Sequence, residues 1–119
     1  MLDHLEDLHV YVQVDGQYVP GYNRPRPLNA NWNAPASLIG PVTSIGRDLH
    51  WGRTRDGIGY INIHGLSDDS LPDAFDEVLG QMAETKGIIL DLRFNGGGSE
   101  PLGCQVAAKI GRASCRERV

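Results

Sequence analysis

The sequence predicts an α/β fold built around one β-α-β unit, and three observations carry that expectation. Ile58 to His64 alternates, with Ile61 and Ile63 on one side of a strand and Tyr60 and Asn62 on the other. Leu71, Phe75, Val78, Leu79 and Met82 then recur at helical spacing, which makes a core-facing stripe over 70–85. Ile88-Ile89-Leu90 is a short continuous apolar run, the pattern of a strand over 88–92 covered on both faces. A strand-helix-strand order of this kind crosses over right-handedly and leaves its two strands parallel in one sheet.

The elements follow in chain order. Met1 to Leu8 reads as the last two turns of an amphipathic helix, with Leu2, Leu5 and Leu8 spaced by three. A helix that short is marginal without something to pack on. His9 to Val14 alternates strictly, placing Val10, Val12 and Val14 on one face of a half-buried strand. Asp15-Gly16 is a hairpin signal, so Gln17 to Val19 returns antiparallel. Pro20 to Pro41 carries five prolines among Gly and Asn and reads as a long irregular loop. Ile45 to Arg53 is expected as a strand, and Arg55-Asp56-Gly57 as a turn. Ser70 with Asp73 matches a capping box, and Pro72 suits a first helical turn. Gly87 is expected to close that helix. Ser99 can cap a last helix over 100–109, with Pro101 in its first turn and Leu102, Val106 and Cys104 packing inward.

Composition narrows the function classes. A chain of 119 residues is one domain at most, and 40% apolar with 22% charged residues is the balance of a globular protein. The net charge of −4 is a poor match for nucleic acid. No apolar run approaches the ~20 residues that span a bilayer. The four histidines lack metal-ligand spacing such as His-x-x-x-His, so no metal or other cofactor is expected. Two cysteines make no disulfide framework, and compartment stays open.

The chemistry concentrates at Asp91-Leu92-Arg93-Phe94-Asn95-Gly96-Gly97-Gly98-Ser99. Three glycines free the backbone for positive φ and expose N–H groups at a helix N-terminus. Such a loop holds an anion, or the oxyanion formed when a carbonyl is attacked. Without further chemistry it is a tight strand-to-helix turn. Phosphate or nucleotide binding is disfavoured, because no Gly-x-Gly-x-x-Gly occurs and no Gly-Lys-Ser/Thr follows.

Asp91 to Gly98 resembles the Asp-hydrophobic-Arg-x-Asn-x-Gly-Gly signature of the tricorn-core and C-terminal processing (tail-specific) serine peptidases. Gly59-Tyr60-Ile61-Asn62-Ile63 is similar to the strand that this family places before the intervening helix, and Leu5-Glu6-Asp7-Leu8-His9 to the Leu-x-Asp-x-His segment of tricorn-like members. The three segments stand in the family's order. The resemblance implies a partial crotonase-type α/β core, preceded by the short helix and the hairpin. It divides the chain into N-terminal helix, hairpin and proline-rich loop (1–57), the first part of the peptidase core (58–109) and a tail (110–119).

By the same resemblance the activity is serine-nucleophile hydrolysis of peptide bonds in a peptide or unfolded protein substrate. His9 is the candidate general base, suited by an imidazole pKa near neutrality. Gly96 and Gly97 are the candidate oxyanion donors through their backbone N–H groups. Asn95 is expected to fix the turn by bonding backbone, and Arg93 to pair with Asp91 or hold the loop. His4, His50 and His64 lack such context and read as structural or exposed. No serine sits in a Gly-x-Ser-x-Gly elbow. The family's nucleophile lies on a later segment than the glycine loop, so the chain reads as a piece of a peptidase that is inactive alone. About 40 residues between Val14 and Gly57 leave no room for the family's substrate-binding PDZ module. Ile110 to Val119 resembles the translation of a sequencing adapter and is expected to be non-native. The alternative reading is a non-catalytic ligand-binding relative of the same fold.

Overall fold

The computed structural model describes residues 2–7, 10–19, 21–22, 30–31 and 33–116. A 3-10 turn at Leu2–Leu5 stands where a longer helix was expected. Strands β1 (Val12–Val14) and β2 (Gln17–Val19) form an antiparallel hairpin with Val14 opposite Gln17. Asp15 and Gly16 turn it with φ of 49° and 77°, the twist that suits the flanking strands. Every residue of both strands is exposed, so the half-burial expected from the alternation is absent. Alternation marks which residues share a face and does not supply a partner for it. Tyr11 and Tyr18 pack edge to face on the hairpin, with ring centroids 5.3 Å apart.

The proline-rich stretch contains a short helix, α1 (Asn33–Leu38), where only loop was expected. Asn31 Oδ1 accepts the Asn33 N–H at 2.9 Å, which satisfies a donor at its start. Ile39 then bridges to Thr54. The single strand expected at 45–53 is two: β3 (Thr43–Ile45) and β4 (Leu49–Arg53). Gly46, at φ 62°, makes the reversal between them.

The main sheet has the order β3-β4-β5-β6, where β5 is Gly59–Ile63 and β6 is Ile88–Asp91. The first two pairings are antiparallel; β5 and β6 run parallel, with Gly59 opposite Ile88 and Asn62 opposite Asp91. Helix α2 (Leu71–Gln81) makes the crossover and α3 (Glu100–Arg116) follows. Leu49, Ile61, Ile63, Leu71, Phe75, Val78, Met82 and Val106 form the buried core between sheet and helices. Leu49 and Ile61 are fully buried. At about 25 cal/mol per Å² of apolar surface, side chains of this size stabilise by roughly 1.5–3 kcal/mol each.

Five local expectations change. Ser70 makes no side-chain cap; instead Asp68 Oδ1 accepts the Ser70 N–H at 3.0 Å and its hydroxyl at 2.7 Å. Helix α2 ends at Gln81, before Gly87, whose carbonyl accepts the Gly59 N–H. Strand β6 is covered less than expected: Ile88 and Ile89 are 43% and 52% exposed. Its pairing partner among the described residues is β5 alone. Cys104 is exposed, because Leu102 and Val106 occupy the inward face of α3. Helix α3 also continues past Lys109 to Arg116, through good helix formers such as Ala113 and Arg112. Among the described residues no helix is long and apolar enough to cross a membrane.

Candidate active site

The carboxyl end of β6 carries a polar clamp. The register sets Asp91 beside Asn62 on the sheet face away from α2. Asp91 is buried and accepts the Tyr60 hydroxyl at 2.6 Å. It also accepts Arg93 three times: backbone N–H at 3.0 Å, Nε at 2.9 Å and Nη2 at 2.7 Å. The Arg93 hydrogen bonds, with help from Tyr60, hold the Asp91 carboxyl well below the usual carboxylate range. Burial, then the bond to Asp91, pushes the Tyr60 phenol up to about 12. Asn62 Nδ2 donates to the Asp91 carbonyl at 3.0 Å, tying the same residue to β5. Arg93 therefore pairs with Asp91, and its guanidinium carbon lies 5.9 Å from the Phe94 ring centroid.

Asn95 fixes the next turn through both ends of its amide. Nδ2 donates to the Ile63 carbonyl at 3.0 Å, and Oδ1 accepts the Gly97 N–H at 2.7 Å. The loop then runs alongside residues 64–66 like a further stretch of parallel strand. Gly96 N–H donates to His64 O at 2.8 Å, Leu66 N–H to Gly97 O at 2.9 Å, and Ser99 N–H to Leu66 O at 2.7 Å. Gly97 and Gly98 have φ of 86° and 135°. A Cβ at Gly98 would overlap the Leu66 carbonyl oxygen, so only glycine fits that approach. Ser99 ends the loop, and its carbonyl accepts the Gly103 N–H of α3.

The three glycine amides are thus unequal. Those of Gly96 and Gly97 are committed to His64 O and Asn95 Oδ1. That of Gly98 has no acceptor among the described residues. His9 lies outside the described residues. His4 is exposed.

The structure brings together two histidines that the sequence reading left as isolated. The His50 and His64 rings meet edge to face with centroids 4.9 Å apart, and Phe94 lies 6.2 Å beyond His64. Ser44 is the register partner of His50, and its Oγ lies 2.8 Å from His50 Nδ1. Burial and the neighbouring His64 lower the His50 pKa, against a smaller opposing pull from Asp48. The signal that could have revealed this pair is Gly46-Arg47-Asp48, a turn sequence inside what was read as one strand.

On the helix side, an open apolar cleft of about 280 Å³ lies between β6 and α3, lined by Ile63, Leu66, Leu90, Leu92, Val106 and Ile110, with Asn95 at its polar edge. Among the described residues no group of three or more His, Cys, Asp or Glu side chains is placed to hold a metal ion.

Residues 57–115 match the model of peptidase family S41, the C-terminal processing or tail-specific peptidases. The matched span runs from the turn before β5 through the clamp and the glycine loop into α3. No curated protein matches the chain.

Proposed function

Residues 57–115 belong to peptidase family S41, and from that premise we propose that the chain is part of a serine-type peptidase that hydrolyses peptide bonds in peptides or unfolded proteins. The observation that carries the reading is the clamped glycine loop inside the matched span. Asp91 and Asn95 tie it to β5, so its backbone is fixed before charge develops on a carbonyl oxygen.

In this reading the nucleophilic serine stands on a segment after the glycine loop, outside these 119 residues, within a crotonase-type core. His9 is its general base and takes the hydroxyl proton during attack on the scissile carbonyl. Gly96 and Gly97 serve the oxyanion only by giving up the His64 and Asn95 acceptors. The Gly98 amide has no acceptor to give up among the described residues, so the loop's donation is assigned to Gly98, with the Gly96 and Gly97 bonds holding it in place. One donor of this kind contributes about 2.7–4 kcal/mol to transition-state stabilisation. Residues 110–119 are assigned no part in the chemistry.

The test is proteolysis by the gene's full-length product. It should cleave a denatured protein substrate, and a serine-directed organophosphonate should stop it. An inert product that binds small ligands would favour the non-catalytic reading instead.

A further inference from the structure

One serine within this chain has the surroundings of a nucleophile. We propose that Ser44 is activated by His50 and takes up the acyl or phosphonyl group of an activated ester or an organophosphonate. The inference does not depend on the peptidase reading, because Ser44 lies on β3, outside the matched span.

The partner of each hydroxyl decides the case, and in the Nε2–H tautomer of His50 the Ser44 hydroxyl donates to Nδ1. Ser37 Oγ donates to the Ala34 carbonyl, which is no base. Ser67 and Ser70 hydroxyls donate to the Asp48 and Asp68 carboxylates, which are too weak as bases to take a hydroxyl proton at neutral pH. Ser44 alone among these has an imidazole nitrogen as its partner, at 2.8 Å, within the reach required of a nucleophile and its base. The geometry is imposed by the fold rather than by a flexible contact. Ser44 and His50 are directly opposed across the β3–β4 hairpin, and β4 is held from its other side by β5. Ser44 is exposed to an incoming electrophile, while His50 is half-buried.

The surroundings of the ring favour its basic form. His64 packs edge-on against it, and a second positive charge there would be repelled. Asp48, on the turn joining β3 to β4, pulls the other way but is the smallest of the three influences. On the adjacent strand Asn62 is the register partner of His50; it is fully buried, and its Oδ1 has no hydrogen-bond partner among the described residues.

The step balances without a co-reactant. Ser44 Oγ attacks the carbonyl carbon or the phosphorus, and its proton passes to His50 Nδ1. The bond to the leaving group breaks, giving an aryloxide from an aryl ester or fluoride from a fluorophosphonate. His50 returns the proton to the leaving group or to water.

The experiment treats the whole 119-residue chain with a fluorophosphonate probe and maps the label by peptide mass spectrometry. Ser44 should be labelled about tenfold or more faster than the exposed serines Ser37, Ser70 and Ser99, and His50→Gln should remove the advantage. Equal labelling of all four serines, or labelling of Ser44 that ignores His50→Gln, overturns the proposal. A second measurement does not require the His50 variant to fold. In Ser44→Cys the introduced thiol, next to the imidazole, should alkylate with iodoacetamide at pH 7 about tenfold faster than exposed Cys104 in the same molecule. Equal rates would overturn the proposal, and neither result bears on proteolysis by the full-length product.

Discussion

Replacing Asp91 with alanine should lower stability by about 2–4 kcal/mol, and most of that cost should pass through Tyr60 rather than Arg93. Asp91 has a side chain only 3% exposed, and it accepts four hydrogen bonds. The Arg93 guanidinium is 51% exposed, so water replaces the lost carboxylate there at little cost. Tyr60 is 5% exposed, and its stranded hydroxyl has no such recourse; leaving it unsatisfied costs about 1–3 kcal/mol. Adding Tyr60→Phe to Asp91→Ala removes the stranded group, so the double variant should be more stable than the sum of the singles predicts by about 1–2 kcal/mol. Urea unfolding at pH 7, followed by tryptophan fluorescence, reads the cycle. The pH dependence follows from the same clamp. The folded pKa of Asp91 is depressed, so its contribution is full above the ordinary carboxylate value near 3.8 and fades as pH falls through the folded value. The gap between wild type and Asp91→Ala should therefore narrow below pH 4. A cycle that adds to within about 0.5 kcal/mol would show that Tyr60 does not carry the cost, and a gap unchanged by acid would show that the ionised carboxylate does not supply it.

The glycine loop predicts a graded series by thermal or urea unfolding: Gly96→Ala near neutral, Gly97→Ala about 1–2 kcal/mol for its left-handed backbone, and Gly98→Ala larger again, because its Cβ would strike the Leu66 backbone. At the start of α2, Asp68→Ala should destabilise more than Ser70→Ala, since Asp68 provides the acceptor and Ser70 makes no cap; the reverse order would restore the capping box. His50 is lowered in the fold by burial and His64, against Asp48, so the unfolded chain binds more protons below about pH 6.5 and stability should fall as pH drops from 7 to 5. His50→Gln should flatten that slope, and an unchanged slope would place its origin elsewhere.

What the sequence revealed, it revealed through period. The stripe Leu71, Phe75, Val78 and Met82 is buried as its spacing implies, and the run at 88–91 pairs parallel with β5. Asn95 and Arg93 were legible because a short polar side chain beside a glycine turn has few partners other than local backbone and the nearest charge. The rest turned on contacts that no local pattern encodes. Val12 and Val14 alternate correctly yet lie exposed, since alternation names a face without naming its cover. Cys104 sits beside inward-facing Leu102 and Gly103, but two positions of helix rotate it out to solvent. The Ser44–His50 pair needed the hairpin register, which stayed hidden while residues 45–53 read as one strand. The commitment of the Gly96 amide depends on the carbonyl of His64, about thirty residues away in sequence, while that of Gly97 is local, to Asn95 Oδ1.

The proposed base, His9, lies outside the matched residues 57–115, so its part in peptide hydrolysis needs its own test. The most direct measurement is kcat of the gene's full-length product on a denatured protein substrate, wild type against His9→Ala. Measurable hydrolysis is expected, with a fall of about 10²–10⁴-fold in kcat for the variant. No hydrolysis by the wild type, or equal rates for the two proteins, would contradict it.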